Sequence, residues 1–75
     1  MIIVTTHNSV YEFNTESRQF RRVKCNRGKP RDFDNVWCSY EGEIDVTTDY
    51  PVVINRKDKS PLVTSNVIVA EFLPH

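Results

Sequence analysis

The sequence predicts an all-β fold: a small SH3-like or OB-like partly open barrel of five to seven short strands, in a single domain over residues 1–75. Three observations carry this. β-branched and aromatic residues gather in short runs with period-2 alternation, the mark of half-buried strands. Asn, Asp, Ser, Gly and Pro, which favour turns, separate the runs. A flat sheet of 75 residues would expose one face and two edges, whereas closing it forms a core and removes most of the edge.

The elements follow in order. Ile2, Ile3 and Val4, then Thr5 and Thr6, form a first β-branched run. Residues 9–13 alternate, with Tyr11 and Phe13 on one face and Val10 and Glu12 on the other. Residues 14–17 (Asn-Thr-Glu-Ser) are turn chemistry, and residues 19–25 return as a strand with Val23 and Cys25 sharing a face. Residues 9–25 therefore read as a hairpin with a loop of about four or five residues.

Residues 26–35 hold Gly28 and Pro30 and no hydrophobic period, which reads as a long loop. Residues 36–40 form a further strand, and Trp37 on it is expected in the core, where one Trp supplies much of a small domain's apolar area. Residues 43–50 are polar, with room for one helical turn, but Thr47 and Thr48 disfavour more. Pro51 opens a strand over Val52, Val53 and Ile54, since Pro is tolerated at a strand's first residue. Residues 55–60 turn the chain, and residues 61–64 form a short extended segment. Ser65 and Asn66 break it before a last strand over residues 67–73.

Composition narrows the function. Hydrophobic residues are 39% and charged residues 27%, ordinary values for a globular chain rather than a disordered one. A domain this small buries only about 60% of the surface its unfolded chain exposes, which argues against a deep catalytic cleft. No stretch approaches the ~20 apolar residues of a membrane span. The N-terminus has neither a basic region nor a small-residue cleavage site, so the expectation is a cytoplasmic protein without a membrane partner. In that compartment Cys25 and Cys38 are expected as reduced, small apolar residues, neighbours only if their strands pair.

The ten basic and ten acidic residues cancel, but they are segregated. From residue 18 to 31 stand Arg18, Arg21, Arg22, Lys24, Arg27, Lys29 and Arg31 with no acid. From residue 32 to 49 stand Asp32, Asp34, Glu41, Glu43, Asp45 and Asp49 with no base. Two readings compete. In one, the blocks face each other as cross-strand pairs worth ~0.2–1 kcal/mol each. This is favoured because sequence neighbours are often sheet neighbours. In the other, Arg21, Arg22, Lys24, Arg27, Lys29 and Arg31 form an exposed stripe for phosphate or an acidic partner. The prevalence of Arg, suited to bidentate recognition, keeps that second reading open. Phe33, set between Asp32 and Asp34, either anchors the long loop or is an exposed contact for a partner's pocket. Arg56, Lys57 and Lys59, with Asp58 among them, form a third, weaker cluster; Arg56 and Lys57, in a turn on another part of the chain, are expected to matter little to binding.

Catalytic and metal motifs are missing from the pattern. The only glycines are Gly28 and Gly42, no Cys-x-x-Cys occurs, and the histidines are His7 and the terminal His75, a position expected to fray. Metal sites show close ligand pairs, so Cys25, Cys38 and His7 make a poor set. The expectation is no enzyme, no metal and no cofactor.

The residues Met1-Ile2-Ile3-Val4-Thr5-Thr6-His7-Asn8-Ser9-Val10-Tyr11-Glu12, Arg21-Arg22-Val23 and the stretch 59–69 resemble short uncharacterised proteins of actinobacteria and their phages. The resemblance implies a phage accessory protein with no assigned function and carries over no site residue. Residues 27–31 (Arg-Gly-Lys-Pro-Arg) also resemble an AT-hook core, in which an extended backbone follows the minor groove. Here Lys29 stands for the second Arg, and Asp32 and Asp34 would repel phosphate. A basic solvated loop fits better.

The functional expectation is a non-enzymatic interaction module binding a host macromolecule, a protein first, through the long loop and an exposed edge. The alternatives are a nucleic-acid or nucleotide binder using residues 18–31 and a self-assembling structural protein. The apolar last strand predicts a homodimer.

Overall fold

The computed structural model describes residues 1–74, and the expectation for His75 lies outside them. Seven strands form: β1 (Ile2–Thr6), β2 (Ser9–Asn14), β3 (Gln19–Cys25), β4 (Cys38–Ser39), β5 (Val53–Ile54), β6 (Leu62–Val63) and β7 (Val67–Phe72). The first four and the last make one antiparallel sheet in the order β4-β3-β2-β1-β7, and β5 pairs with β6. The whole is the partly open all-β barrel expected.

Local chemistry sets each turn. Between β1 and β2, the Thr6 hydroxyl accepts from the Ser9 and Asn8 N–H groups and donates to the Ser9 carbonyl. Between β2 and β3, the Asn14 carboxamide oxygen accepts from the Glu16 and Ser17 N–H groups, an Asx turn. Arg18 closes that loop at φ 53°, the left-handed region. Thr47 and Tyr50 bracket a backbone turn with Asp49 at φ 73°, where a helical turn had room to form.

Alternation places Ile2, Val4, Tyr11, Phe13 and Phe20 on the inner face, all buried. Registers align them in rows across the strands: Phe72, Ile2, Phe13, Phe20 and Cys38 in one, Ala70, Val4, Tyr11 and Arg22 in the next. The inner aromatics stack at centroid distances of 6.2 Å (Tyr11–Phe13, Phe13–Phe20), and Tyr40 meets Phe13 edge-on at 6.1 Å. Ile54 of β5 and Val52 just before it join this core, both fully buried.

Two hydrogen-bonded joints bend the sheets around the core. The Glu41 N–H donates to Asn55 O, tying the chain after β4 to β5. Val67 donates to Tyr50 O and accepts from the Asp49 N–H, holding the start of β7. A register shift in β2–β3 leaves Val23 without an opposite residue, since Val10 faces Lys24 and Tyr11 faces Arg22. This bulge keeps Arg22 and Cys25 on the same side, in place of the Val23–Cys25 face that plain alternation predicts. Cys25 and Cys38 are both free. Cys38 sits opposite Phe20, five positions along β3 from Cys25. At ~3.3 Å per residue their strands pair without bringing the thiols within bonding reach.

The core corrects one expectation. Trp37 is half-buried and outside the regular strand, covered by the Arg21 guanidinium at 4.6 Å from the ring centroid. The aromatic that completes the core is Phe33, fully buried and 5.5 Å from Phe20. Phe33→Ala is therefore expected to cost about 3–5 kcal/mol, and Trp37→Ala no more than half as much. Urea unfolding of both variants checks the order, and a larger loss at Trp37 would refute it.

Candidate functional site

The site is built on an arginine that points inward. Arg22 lies in the same cross-strand row as Tyr11 and is 8% exposed. A buried guanidinium needs acceptors for its donors. Asp34 supplies two: Arg22 Nε donates to Oδ1 at 2.5 Å and Nη2 to Oδ2 at 2.9 Å. Nη2 also donates to the Lys29 carbonyl at 3.1 Å. The backbone joins in, with Arg22 N–H donating to Phe33 O and Asn35 N–H donating to Arg22 O, both at 2.9 Å. One residue thus fastens the middle and the far end of the loop 26–35. Asp34 in turn accepts from the Arg31 N–H, which folds the loop over its own centre and turns Phe33 into the core.

Hydrogen bonding to Arg22, then to the Arg31 N–H, holds the Asp34 carboxyl below its ordinary range. The same bond raises Arg22. Asp32 is also lowered, chiefly by a hydrogen bond from the Lys59 ammonium at 2.9 Å. Burial pushes the Tyr11 hydroxyl up, against the favourable charge of Arg22.

The seven residues singled out in the sequence separate into three groups. Arg21 pairs across the strands with Glu12 at 2.6 Å and stacks on Trp37. Arg22 and Phe33 are interior, so neither is an exposed partner contact: Arg22 pairs with Asp34, and Phe33 anchors the long loop, the other of its two readings. Lys24, Arg27, Lys29 and Arg31 are exposed. Gly28 has φ 99° within a bend over residues 26–28, so residues 27–31 are not the extended strip that an AT-hook core requires.

The acidic block meets the basic one only in part, through Arg22–Asp34 and Arg18–Glu43, the latter at 3.5 Å and exposed. The sheet pairs residues 19–20 with residues 38–39, yet Arg21 finds Glu12 and Asp32 finds Lys59.

The turn that carries Arg56, Lys57 and Lys59, on another part of the chain, lies against the long loop. Lys59 reaches Asp32, and the guanidiniums of Arg22, Arg31 and Arg56 stand 5.2, 5.0 and 5.8 Å from the Phe33 centroid. Beside them a cleft of about 220 Å³ is lined by Arg56, Lys57, Lys59, Asp32, Glu41, Cys38 and Ser39. The sequence signal for this meeting was the inward parity of Arg22, which demands an acid and so pulls the loop onto the barrel.

The free edge of the sheet is the other exposed feature. Met1 and Leu73 exchange both backbone hydrogen bonds, so by alternation the N–H and C=O groups of Ala70 and Phe72 point away from β1. Ile68, Val69, Phe72 and Leu73 are 42–68% exposed. His7 is exposed in the first turn, and among the described residues no three His, Cys, Asp or Glu side chains gather as a metal site. Comparison with protein-family models, curated proteins and solved structures finds no match.

The Asp34 shift sets a pH dependence. Its folded value lies below the unfolded 3.8, so the stabilisation is complete above that value and is lost as pH falls through the lower folded one. Asp34→Asn is expected to cost about 1.5–3 kcal/mol near neutrality. The gap from wild type should shrink below about pH 4. Urea midpoints across this range measure it, and a pH-independent gap would contradict the linkage.

Proposed function

We propose that the chain is a non-enzymatic interaction module that takes up an extended segment of a partner protein along β7. The supporting observation is the unpaired edge: Ala70 and Phe72 offer outward backbone donors and acceptors, flanked by exposed Ile68, Val69 and Phe72. Strand addition draws affinity from such main-chain groups and selectivity from alternate side chains. Proline, lysine and other cations, common guards of natural edges, do not occur within Val67–Phe72, where Glu71 is the only charge. In the reading that the resemblance implies, the partner is a host protein met in the host cytoplasm by a phage accessory protein.

A second copy of the chain is the second reading, and the register favours it. Antiparallel pairing of two β7 edges about Ala70 sets Phe72 opposite Ile68 and Glu71 opposite Val69. Aromatic–β-branched pairs stabilise a sheet, and like charges are kept from facing each other.

Ala70→Pro removes one outward N–H without touching the β1 ladder, a place where an edge strand tolerates proline. Partner capture from host lysate should be lost in this variant while its urea midpoint stays near wild type. Equal capture by both proteins would overturn strand addition. Sedimentation at about 100 μM, well above a micromolar Kd, separates the occupants. Self-pairing gives a wild-type dimer and a monomeric variant, and a foreign strand leaves both monomeric.

A further inference from the structure

Independently of the β7 edge, we infer that the surface where the long loop meets the β5–β6 turn is a binding site for phosphate groups, with Arg31 and Arg56 as its paired recognition elements. The fold gathers like charge here and compensates only part of it, through the Lys59–Asp32 pair and Glu41 in the adjoining cleft. Residues 27–34 and 55–59 contribute six cations against three acids in a chain of zero net charge. Two of those acids are already engaged, Asp34 by Arg22 and Asp32 by Lys59.

Arg31 and Arg56 form no ion pair among the described residues, yet both rest on Phe33, at 5.0 and 5.8 Å. Sharing one ring keeps them within about a Debye length of each other, where like charges repel. The ring offsets part of that cost, since a cation over an aromatic face gains ~0.5–1 kcal/mol or more. It also fixes both side chains before any ligand arrives, which lowers the ordering cost of binding. Arg56 is held at a further cost: its Nε is buried without an acceptor, and its Nη2 donates to Ser60 O at 3.3 Å. An anion that binds both guanidiniums relieves the repulsion.

Planar guanidiniums match phosphate oxygens bidentately, and Lys57, Lys29 and Arg27 extend the cationic surface beyond one phosphate. The chemistry fits a nucleotide or the backbone of a nucleic-acid strand, both of which present phosphate esters.

The test is titration of the ¹⁵N-labelled protein, followed by amide shifts, with pyrophosphate, ATP, a twelve-nucleotide single strand and a poly-glutamate peptide. Saturable shifts confined to residues 27–33 and 55–59 are expected with the phosphate probes. Kd should rise at least about tenfold, or 1.4 kcal/mol, in the Arg31→Gln/Arg56→Gln variant and stay near wild type in Lys24→Gln, an exposed cation elsewhere. Urea unfolding shows whether the double variant folds. If it does not, Arg56→Lys serves, which keeps the charge and loses the planar fork, and weaker phosphate binding is again expected. ATP binding as tightly as the strand marks a nucleotide site. Tighter strand binding, with log K falling against log[salt] by about 0.7 per phosphate neutralised, marks a nucleic-acid backbone. No shift up to about 1 mM, or poly-glutamate binding as well as phosphate, overturns the assignment. Loss of this binding leaves capture by β7 untouched, and Ala70→Pro leaves this binding untouched.

Discussion

The inward-facing Arg22 governs the rest of the molecule. A guanidinium placed on the core side of a strand must be neutralised where it stands, because stripping a charge of water without a partner is far more costly than a single hydrogen bond returns. Asp34 comes to it from twelve residues along the chain, and the loop between them closes as a consequence. Phe33, the residue before Asp34, enters the core by the same movement. A loop with no hydrophobic period thereby supplies one of the largest fully buried side chains.

That closure decides where charge appears on the surface. The loop lies against the β5–β6 turn because Phe33 brings it there and Lys59 clasps Asp32. Basic residues remote in sequence then share one patch. Meanwhile Asp45 and Asp49 stay exposed on the segment between β4 and β5. A chain neutral in total is therefore polar in its distribution, and such a field orients an approaching charged partner even where net charge is zero.

Much of the fold was legible from local rules. The hairpin over residues 9–25, the Asx turn at Asn14, the short strand at Val53–Ile54 and the terminal strand follow from alternation and turn chemistry. Trp37 and Phe33 exchanged roles for a physical reason. Residue size predicts burial only when the backbone can turn the ring inward, and Trp37 precedes a two-residue strand and lies under Arg21. Phe33 is flanked by two aspartates, which hides it from any hydrophobic pattern, but those aspartates are the residues that tether it. The parity shared by Phe20 and Arg22 was the available clue.

The sequence by itself determined an all-β chain, most of its turns, the shared face of Tyr11 and Phe13 on β2, and the segregation of charge into blocks. These depend on neighbours two to four positions away, through side-chain alternation and short-range hydrogen bonds. Only the tertiary structure decided which acid answers which base, that Arg31 and Arg56 meet on one ring, and that β7 is left as the open edge. Those outcomes depend on closing loops of ten residues or more, where the cost of closure varies slowly with length. Local patterning cannot rank the competing closures. Desolvation of one arginine can.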